Sequence, residues 1–313
     1  MRIVVFGPER RVGALLDDRI VDLQRADPGL PADLGAFISG GSAVLDVARP
    51  AVDRIGADPA FGVARGDVQV HAPAVYRPRI ACAGGNYALH AAGAQEARTG
   101  EPADVDAVYR ASRAGGPWGF WKVVDPLLGD GEDVLFPARA THFDYEAEVA
   151  VVLGRSFRDI RASDAADVIW GVTLLNDWSV RNDMGPGRVL NFNLAKNFDT
   201  SVSLGPCIVT ADEVDPADVD VELRVNGQVR QHYNTRDMTF SFGEFLEYLS
   251  RDFTFQPGDI LAGGTGAGTA MDASRLGADG KTPLDLFLKP GDEVEVESPK
   301  IGRLHHRIVA KTA

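Results

Sequence analysis

Cysteine is scarce: 313 residues contain two, Cys82 and Cys207, both in apolar, strand-like surroundings. They offer neither a disulfide framework nor a metal-ligand spacing. Basic charge is also short. The 32 Lys and Arg stand against 45 Asp and Glu, a formal net charge of −13, which argues against nucleic acid or an anionic membrane as partner, since both select clustered Lys and Arg. Long apolar runs are missing too. The N-terminus offers only Ile3 to Phe6 before Gly-Pro and charges, too short for the apolar part of a secretory signal, and nothing later approaches a membrane span. The expectation is a cytoplasmic protein whose partner is a small molecule.

What is present is an ordinary globular composition, 45% hydrophobic, in a chain long enough for a substantial core and for two units. Residues 1–72 read as a small N-terminal α/β domain. Ile3–Phe6, Val12–Leu16 and Ile20–Leu23 are short strands of a meander, followed by a helical stretch from Ala43 to Ile55. Ala72-Pro73 through Tyr76-Arg77-Pro78 marks a boundary. Residues 73–313 read as a strand-rich α+β domain, with a hairpin turning at Asn226-Gly227 and a short helix from Phe242 to Leu249. Within it, residues 91–119 carry a helical pattern interrupted by Gly100-Glu101-Pro102 and Gly115-Gly116-Pro117. That stretch is a lid or a surface insertion.

The chemistry concentrates in Phe143-Asp144-Tyr145-Glu146-Ala147-Glu148-Val149 and, about thirty residues on, Asn176-Asp177-Trp178. In an extended chain Asp144, Glu146 and Glu148 share one face, and at about 3.3 Å per residue the two glutamate Cβ atoms lie roughly 6–7 Å apart. Asp177 ends the apolar run Val172–Leu175 and brings a third carboxylate. Spacing alone leaves two readings: the wet face of a half-exposed strand, or a hard, all-oxygen site for Mg²⁺, Mn²⁺ or Ca²⁺. Charge favours the second. Two carboxylates about 5 Å apart repel by roughly 3 kcal/mol at an effective dielectric near 20, so three invite a counterion.

The run Gly263-Gly264-Thr265-Gly266-Ala267-Gly268 fits neither phosphate-loop pattern, because no Gly-Lys-Ser/Thr ends it and no helical pattern follows. It permits close approach to a small anionic group, with the Thr265 hydroxyl and neighbouring amides as donors. Taken singly, His90 is an ordinary imidazole, Lys196 a solvated strand-edge lysine, and Lys122 and Arg181 partners in surface salt bridges.

Together, the pieces resemble the fumarylacetoacetate hydrolase superfamily over residues 77–313. Arg79 to His90 is similar to its strand and Asn-Tyr-x-x-His turn, Phe120-Trp121-Lys122 to its Phe-x-Lys, and Asp144 to Glu148 to its two-glutamate metal strand. Asn176 to Arg181, Lys196 to Thr200 and Pro257 to Gly266 complete the order. The resemblance implies a mixed β-sandwich roll, a homodimer, and a divalent cation, Mg²⁺ or Mn²⁺/Ca²⁺, held by Glu146, Glu148 and Asp177. It implies hydrolysis of a C–C bond in a small 2,4-dioxo (acylpyruvate-type) acid, with His90 as general base and Lys196 stabilising developing charge. Tyr87, Lys122, Arg181, Gly264 and Thr265 would bind substrate. The alternatives are an isomerase, decarboxylase or dehydratase working through an enolate, and a silent metal-binding scaffold.

Two positions depart from the pattern. Gly93 stands where related hydrolases place a glutamate beside the histidine, and Met184 stands where some carry glutamine. The expectation is that Glu96 or Glu101 swings in from the lid to orient His90.

Overall fold

Turn chemistry cuts the N-terminal apolar runs into strands. Gly7 and Arg10, then Asp17, adopt positive φ and separate β1 (Arg2–Phe6), β2 (Arg11–Leu16) and β3 (Arg19–Asp22). The structure is a computed structural model that describes residues 1–55, 58–182, 191–275 and 282–311. Helices α1 (Leu23–Ala26), α2 (Leu34–Ser39) and α3 (Gly41–Ile55) follow, then β4 (Gly62–Ala64), β5 (Val70–His71) and β6 (Ile80–Ala83). The stretch read as a lid or insertion forms α4 (Ala88–Thr99) and α5 (Val105–Gly115). Beyond it run β7 (Gly119–Lys122), β8 (Val134–Phe136), β9 (Phe143–Asp144), β10 (Ala147–Leu153), β11 (Ile169–Asp177), β12 (Ser179–Val180), α6 (Phe192–Ala195) and β13 (Val202–Thr210). The chain closes with β14 (Asp220–Val225), β15 (Gln228–Asn234), α7 (Phe242–Leu249), β16 (Ile260–Thr265), α8 (Ala270–Ala273), β17 (Glu293–Ser298) and β18 (Gly302–Ala310).

The fold is strand-rich α+β, as the sequence reading has it. One large sheet runs β4-β3-β2-β1-β13-β11-β10-β16-β6-β7, with β5 also paired to β1. A second sheet, β15-β14-β17-β18-β8, covers part of one face. The N-terminal strands continue the large sheet, because β1 pairs antiparallel with β13 through Arg2–Val209 and Ile3–Ile208. Alternation explains why β10 is buried along its whole length. Val149, Val151 and Leu153 pack toward Val221, Leu223, Val294 and Val296 of the second sheet. Ala150 and Val152 belong to the opposite core, with Phe37, Ile38, Ala48 and Val52 of α2 and α3. A strand covered on both faces reads as a continuous apolar run.

Two local features shape the site. Ala147 pairs with Asn176 across β10 and β11, so the start of one strand lies beside the end of the other. The β10–β16 register shifts between Glu148–Thr265 and Ala150–Ala262, which leaves an irregularity at Gly263-Gly264. Gly264 has φ 85°, a conformation glycine adopts without steric penalty. Asn86 clamps this irregularity, donating to Gly263 O at 2.9 Å and Phe240 O at 3.0 Å and accepting Phe240 N–H at 2.8 Å.

Candidate active site

The β10–β11 register brings Glu146, Glu148 and Asp177 together: each offers a carboxylate oxygen, and these atoms all lie within 4.8 Å of one another. All three are buried, so the solvated-face reading is excluded. Asn176 Oδ1 accepts the Glu146 N–H at 2.9 Å, and Glu146 O accepts the Asp177 N–H at 2.9 Å. The Asn176 side chain and this backbone bond thereby hold the two acid-bearing segments together. Lys196 Nζ donates to Glu146 Oε2 at 2.5 Å and Asp177 Oδ2 at 2.8 Å. Arg181 bonds Glu146 Oε1 and, at 3.1 Å, Asp144 Oδ2.

Electrostatics test whether this set fits a cation. Four buried carboxylates, Asp144, Glu146, Glu148 and Asp177, meet three cationic groups, Lys122, Lys196 and Arg181. Glu148 is the acid left over: it accepts the Gly264 N–H at 2.9 Å, and no described Lys or Arg pairs with it. Burial pushes its carboxyl well above the usual range, and Asp177 and Glu146 push the same way. Burial acts on Glu146 as well, but Arg181 and Lys196 outweigh it and hold that carboxyl below its ordinary value. Burial likewise opposes the Lys196 charge, and Asp177 and Glu146 more than offset it, so this ammonium is raised. An excess of buried carboxylate oxygens with one acid lacking a cationic partner fits a hard divalent ion.

His90 stands on the first turn of α4 and meets the pocket with its partner already in place. Its Nδ1 lies 2.7 Å from Asp272 Oδ2, which leaves Nε2 toward the cavity. Asp272 is itself held: Gly268 N–H reaches Oδ1 at 2.9 Å, and the Thr269 hydroxyl caps the Asp272 N–H at 3.2 Å. Gly93 makes the approach of α8 feasible. A Cβ there would fall 2.6 Å from Asp272 Cβ and 3.0 Å from Asp272 O. A side chain at position 93 and the present placement of Asp272 beside His90 therefore exclude each other. In this structure Glu96 and Glu101, expected to swing in when the lid closes, are placed elsewhere. Glu96 pairs with Arg275 at 2.8 Å and accepts the Ala103 N–H at 3.0 Å, while Glu101 is exposed at the α4–α5 turn. Neither reaches His90.

The cavity, about 310 Å³, takes in His90, Glu146, Glu148, Arg181, Lys196 and Thr265. One wall is aromatic: Phe120 stacks on Phe192 at 5.2 Å, Trp118 meets Phe192 edge-on at 5.5 Å, and Lys196 Nζ lies 5.4 Å from the Phe120 ring centre. Trp118 lies against the Gly84-Gly85 turn so closely that a Cβ on Gly84 would fall 2.4 Å from the indole. Helices α4 and α5 add Ala94, Val108 and Ala111 as apolar lining and Arg98 as a charged group. Among the described residues no carboxylate pairs with Arg98.

Four residues read as substrate-binding have other duties. Lys122 is buried away from the cavity, on Asp177 Oδ1 and, at 2.8 Å, Ser201 O; it orients the Asp177 carboxylate. Tyr87 packs edge-on against Tyr233 at 4.9 Å, outside the cavity lining. The Gly264 amide is engaged by Glu148. Thr265 lines the cavity, yet its hydroxyl donates to Ala147 O at 2.7 Å and accepts from Gln231 Nε2 at 2.8 Å. Arg181 and Lys196 do face the cavity. Met184 lies outside the described residues. Sequence reasoning missed Asp272, Trp118 as a wall, Phe192 and Arg98; the one available signal for Asp272 was an acid shortly after the glycine-rich run.

Comparisons with known proteins show which family the chain resembles in sequence and fold. Residues 79–309 match the family described as Fumarylacetoacetate (FAA) hydrolase C-terminal. Oxaloacetate tautomerase FAHD2A, mitochondrial, of Homo sapiens is 32% identical over 316 residues, covering 99% of this chain and 92% of the relative. The crystal structure of maleylpyruvate hydrolase from Sphingobium sp. SYK-6 with manganese(II) ion and pyruvate is similar, with TM-score 0.74, 26% identity and 100% of both chains covered. A 5-carboxymethyl-2-hydroxymuconate delta-isomerase from Mycobacterium smegmatis gives TM-score 0.67 and 26% identity over 99% of this chain and 100% of that one.

Proposed function

Since the chain belongs to the fumarylacetoacetate hydrolase superfamily, we propose that it is a divalent-metal-dependent enzyme hydrolysing a C–C bond in a 2,4-dioxo acid. One observation carries the reading: His90, held by Asp272, opens on the same cavity as Glu146, Glu148 and Lys196. Glu146, Glu148 and Asp177 would hold the ion, Mg²⁺ first and Mn²⁺ or Ca²⁺ as alternatives, and the ion would polarise the oxygens of a bound 2-oxo acid. Lys196 and Arg181 supply fixed positive charge to the acid end of the substrate. His90 Nε2 takes a proton from water, and the hydroxide adds to the C4 carbonyl. The C3–C4 bond breaks, its electron pair passes to C3 as an enolate, and protonation there releases pyruvate and a second carboxylic acid. Asp272 stabilises the imidazolium and keeps Nδ1 protonated throughout.

The cavity also suggests the substrate's far end. Its volume and three aromatic rings accommodate more than a four-carbon acid, and Arg98 offers a charge for a second carboxylate. Oxaloacetate and maleylpyruvate, which appear in the names of two similar proteins, both carry two. The proposed substrate is a dicarboxylic 2,4-dioxo acid with an apolar or unsaturated middle. A homodimer in the cytoplasm completes the proposal, and light scattering tests its dimer.

A second reading, tautomerisation or isomerisation of a 2-oxo acid, is favoured by one detail. The Gly264 amide and Thr265 hydroxyl are spent on Glu148 and Ala147, which leaves stabilisation of a tetrahedral oxyanion to the cationic groups. Proton NMR of 2,4-dioxo acids in D₂O separates the readings. Release of pyruvate and a second acid supports hydrolysis; exchange at C3 with the skeleton intact supports tautomerisation.

A further inference from the structure

Asp144 stands where the acidic cluster and the His90 pair meet. Its carboxylate is 0% exposed and every contact leads into the site. Oδ1 accepts the Tyr145 N–H at 2.9 Å and the Ala270 N–H at 2.8 Å. Oδ2 accepts the Met271 N–H at 3.2 Å and Arg181 Nε at 3.1 Å. Arg181 goes on to Glu146. Ala270 and Met271 open α8, and the next residue, Asp272, holds His90.

We propose that Asp144 is a positioning residue, a single buried carboxylate that sets the spacing between the cation-binding acids and the Asp272–His90 pair by clamping Arg181 and the first turn of α8 together. The helix cannot do this alone. It has four residues, too few to be stable without external contacts, and it is reached through Gly268 at φ 105°. Its placement rests on the Thr269 cap, on packing at Gly93 and on the two amides that Asp144 accepts. Those amides come from the residues just before Asp272, so a shift of the Asp144 oxygens moves the Asp272 carboxylate relative to Glu146. The acid ends β9, two residues before Glu146 and four before Glu148 on the same chain segment, which ties the pair to the stretch that presents two of the three clustered acids.

The kinetic consequence rests on the proposed function; the geometric one does not, and the experiment reads both. Asp144→Asn keeps the size but only one acceptor oxygen, so the amide turns a donor toward either Arg181 or the α8 amides. A folded variant with Mn²⁺ affinity within about threefold of the parent is expected to lose between about tenfold and about a hundredfold in kcat. KM should change less. Joined to Asp272→Asn, it should add little further loss, because both act through His90. Independently of turnover, the downfield proton resonance of the His90 Nδ1–H···Asp272 bond should weaken or vanish in the single variant. Parental kcat together with an unchanged resonance would overturn the proposal, as would multiplicative losses in the double variant. If the protein turns over no 2-oxo acid, the resonance alone decides. If Asp144→Asn does not fold, Asp144→Glu keeps the charge and moves the clamp by one methylene; an unshifted resonance there overturns the proposal, and a shifted one supports it.

Discussion

His90 Nδ1 and Asp272 Oδ2 stand 2.7 Å apart across 182 residues of sequence, and both side chains are buried. A carboxylate in that position selects the tautomer with the proton on Nδ1 and stabilises the imidazolium formed when Nε2 accepts a proton. Asp272→Ala is therefore expected to lower kcat by about 10²-fold or more, in line with general-base catalysis, with a smaller change in KM. Glu101→Ala should leave turnover within about twofold of the parent. Steady-state kinetics on the best 2,4-dioxo acid checks both; equal losses in the two variants would restore the lid glutamate as partner.

Gly93 carries a prediction that runs against simple family logic. Restoring the glutamate by Gly93→Glu should not improve the enzyme, because even a Cβ falls 2.6 Å from Asp272 Cβ. Gly93→Ala suffices as the test. Overpacking of this kind is expected to destabilise by about 1–3 kcal/mol and to lower kcat by about tenfold as α8 shifts. Thermal melts and kinetics are read together, and a fully active Gly93→Ala would show that the α4–α8 contact tolerates displacement.

Arg98 is expected to read the distal carboxylate. Arg98→Met should raise KM for a dicarboxylic 2,4-dioxo acid by about tenfold, the worth of a charge-assisted hydrogen bond at a half-open site. For a monocarboxylic analogue with an alkyl tail KM should stay the same or fall. Parallel KM values across the two substrates would remove Arg98 from recognition.

His306 is expected to contribute to the loss of stability as pH falls from about 6.5 toward 4. Burial depresses its imidazole to about 4, against a hydrogen bond to Glu132 O that pulls the other way. The unfolded chain has a higher pKa, near 6.5, so it binds the proton first as pH falls. Stability from this group is complete above about 6.5 and is lost progressively toward 4, by up to about 3 kcal/mol. His306→Asn, whose amide can still donate to Glu132 O, should flatten that part of the urea-midpoint profile; an unchanged slope would assign the sensitivity elsewhere.

Local patterns made much of this molecule legible. The meander at β1 to β3, the Asn226-Gly227 hairpin and the capped helix Phe242–Leu249 depend on near-neighbour turn and capping chemistry, and they appear where the sequence places them. Glu146, Glu148 and Asp177 were legible from the two-residue glutamate spacing and a strand end, although the alternating run is not one strand: it breaks at Tyr145-Glu146, between β9 and β10. Contacts across long separations were not. Nothing in residues 1–72 announces that Arg2 and Ile3 pair with Val209 and Ile208. Asp272 follows a glycine-rich run on a single-turn helix with no periodicity to read. Thr265 and Gly264 looked like free donors because the carboxylate and carbonyl that engage them lie more than a hundred residues away.

In the proposed reaction Glu146, Glu148 and Asp177 hold a divalent ion that the His90–Asp272 pair needs for cleavage. The most direct measurement is pyruvate release from a dicarboxylic 2,4-dioxo acid by chelator-treated protein titrated with Mg²⁺ or Mn²⁺, with calorimetry of the same titration and with Asp177→Ala in parallel. Saturable pyruvate release that rises with bound metal is expected, with an Asp177→Ala protein that neither binds the ion nor releases pyruvate. Metal affinity and release unchanged in Asp177→Ala, or no release from the parent at saturating metal, would contradict the proposed reaction.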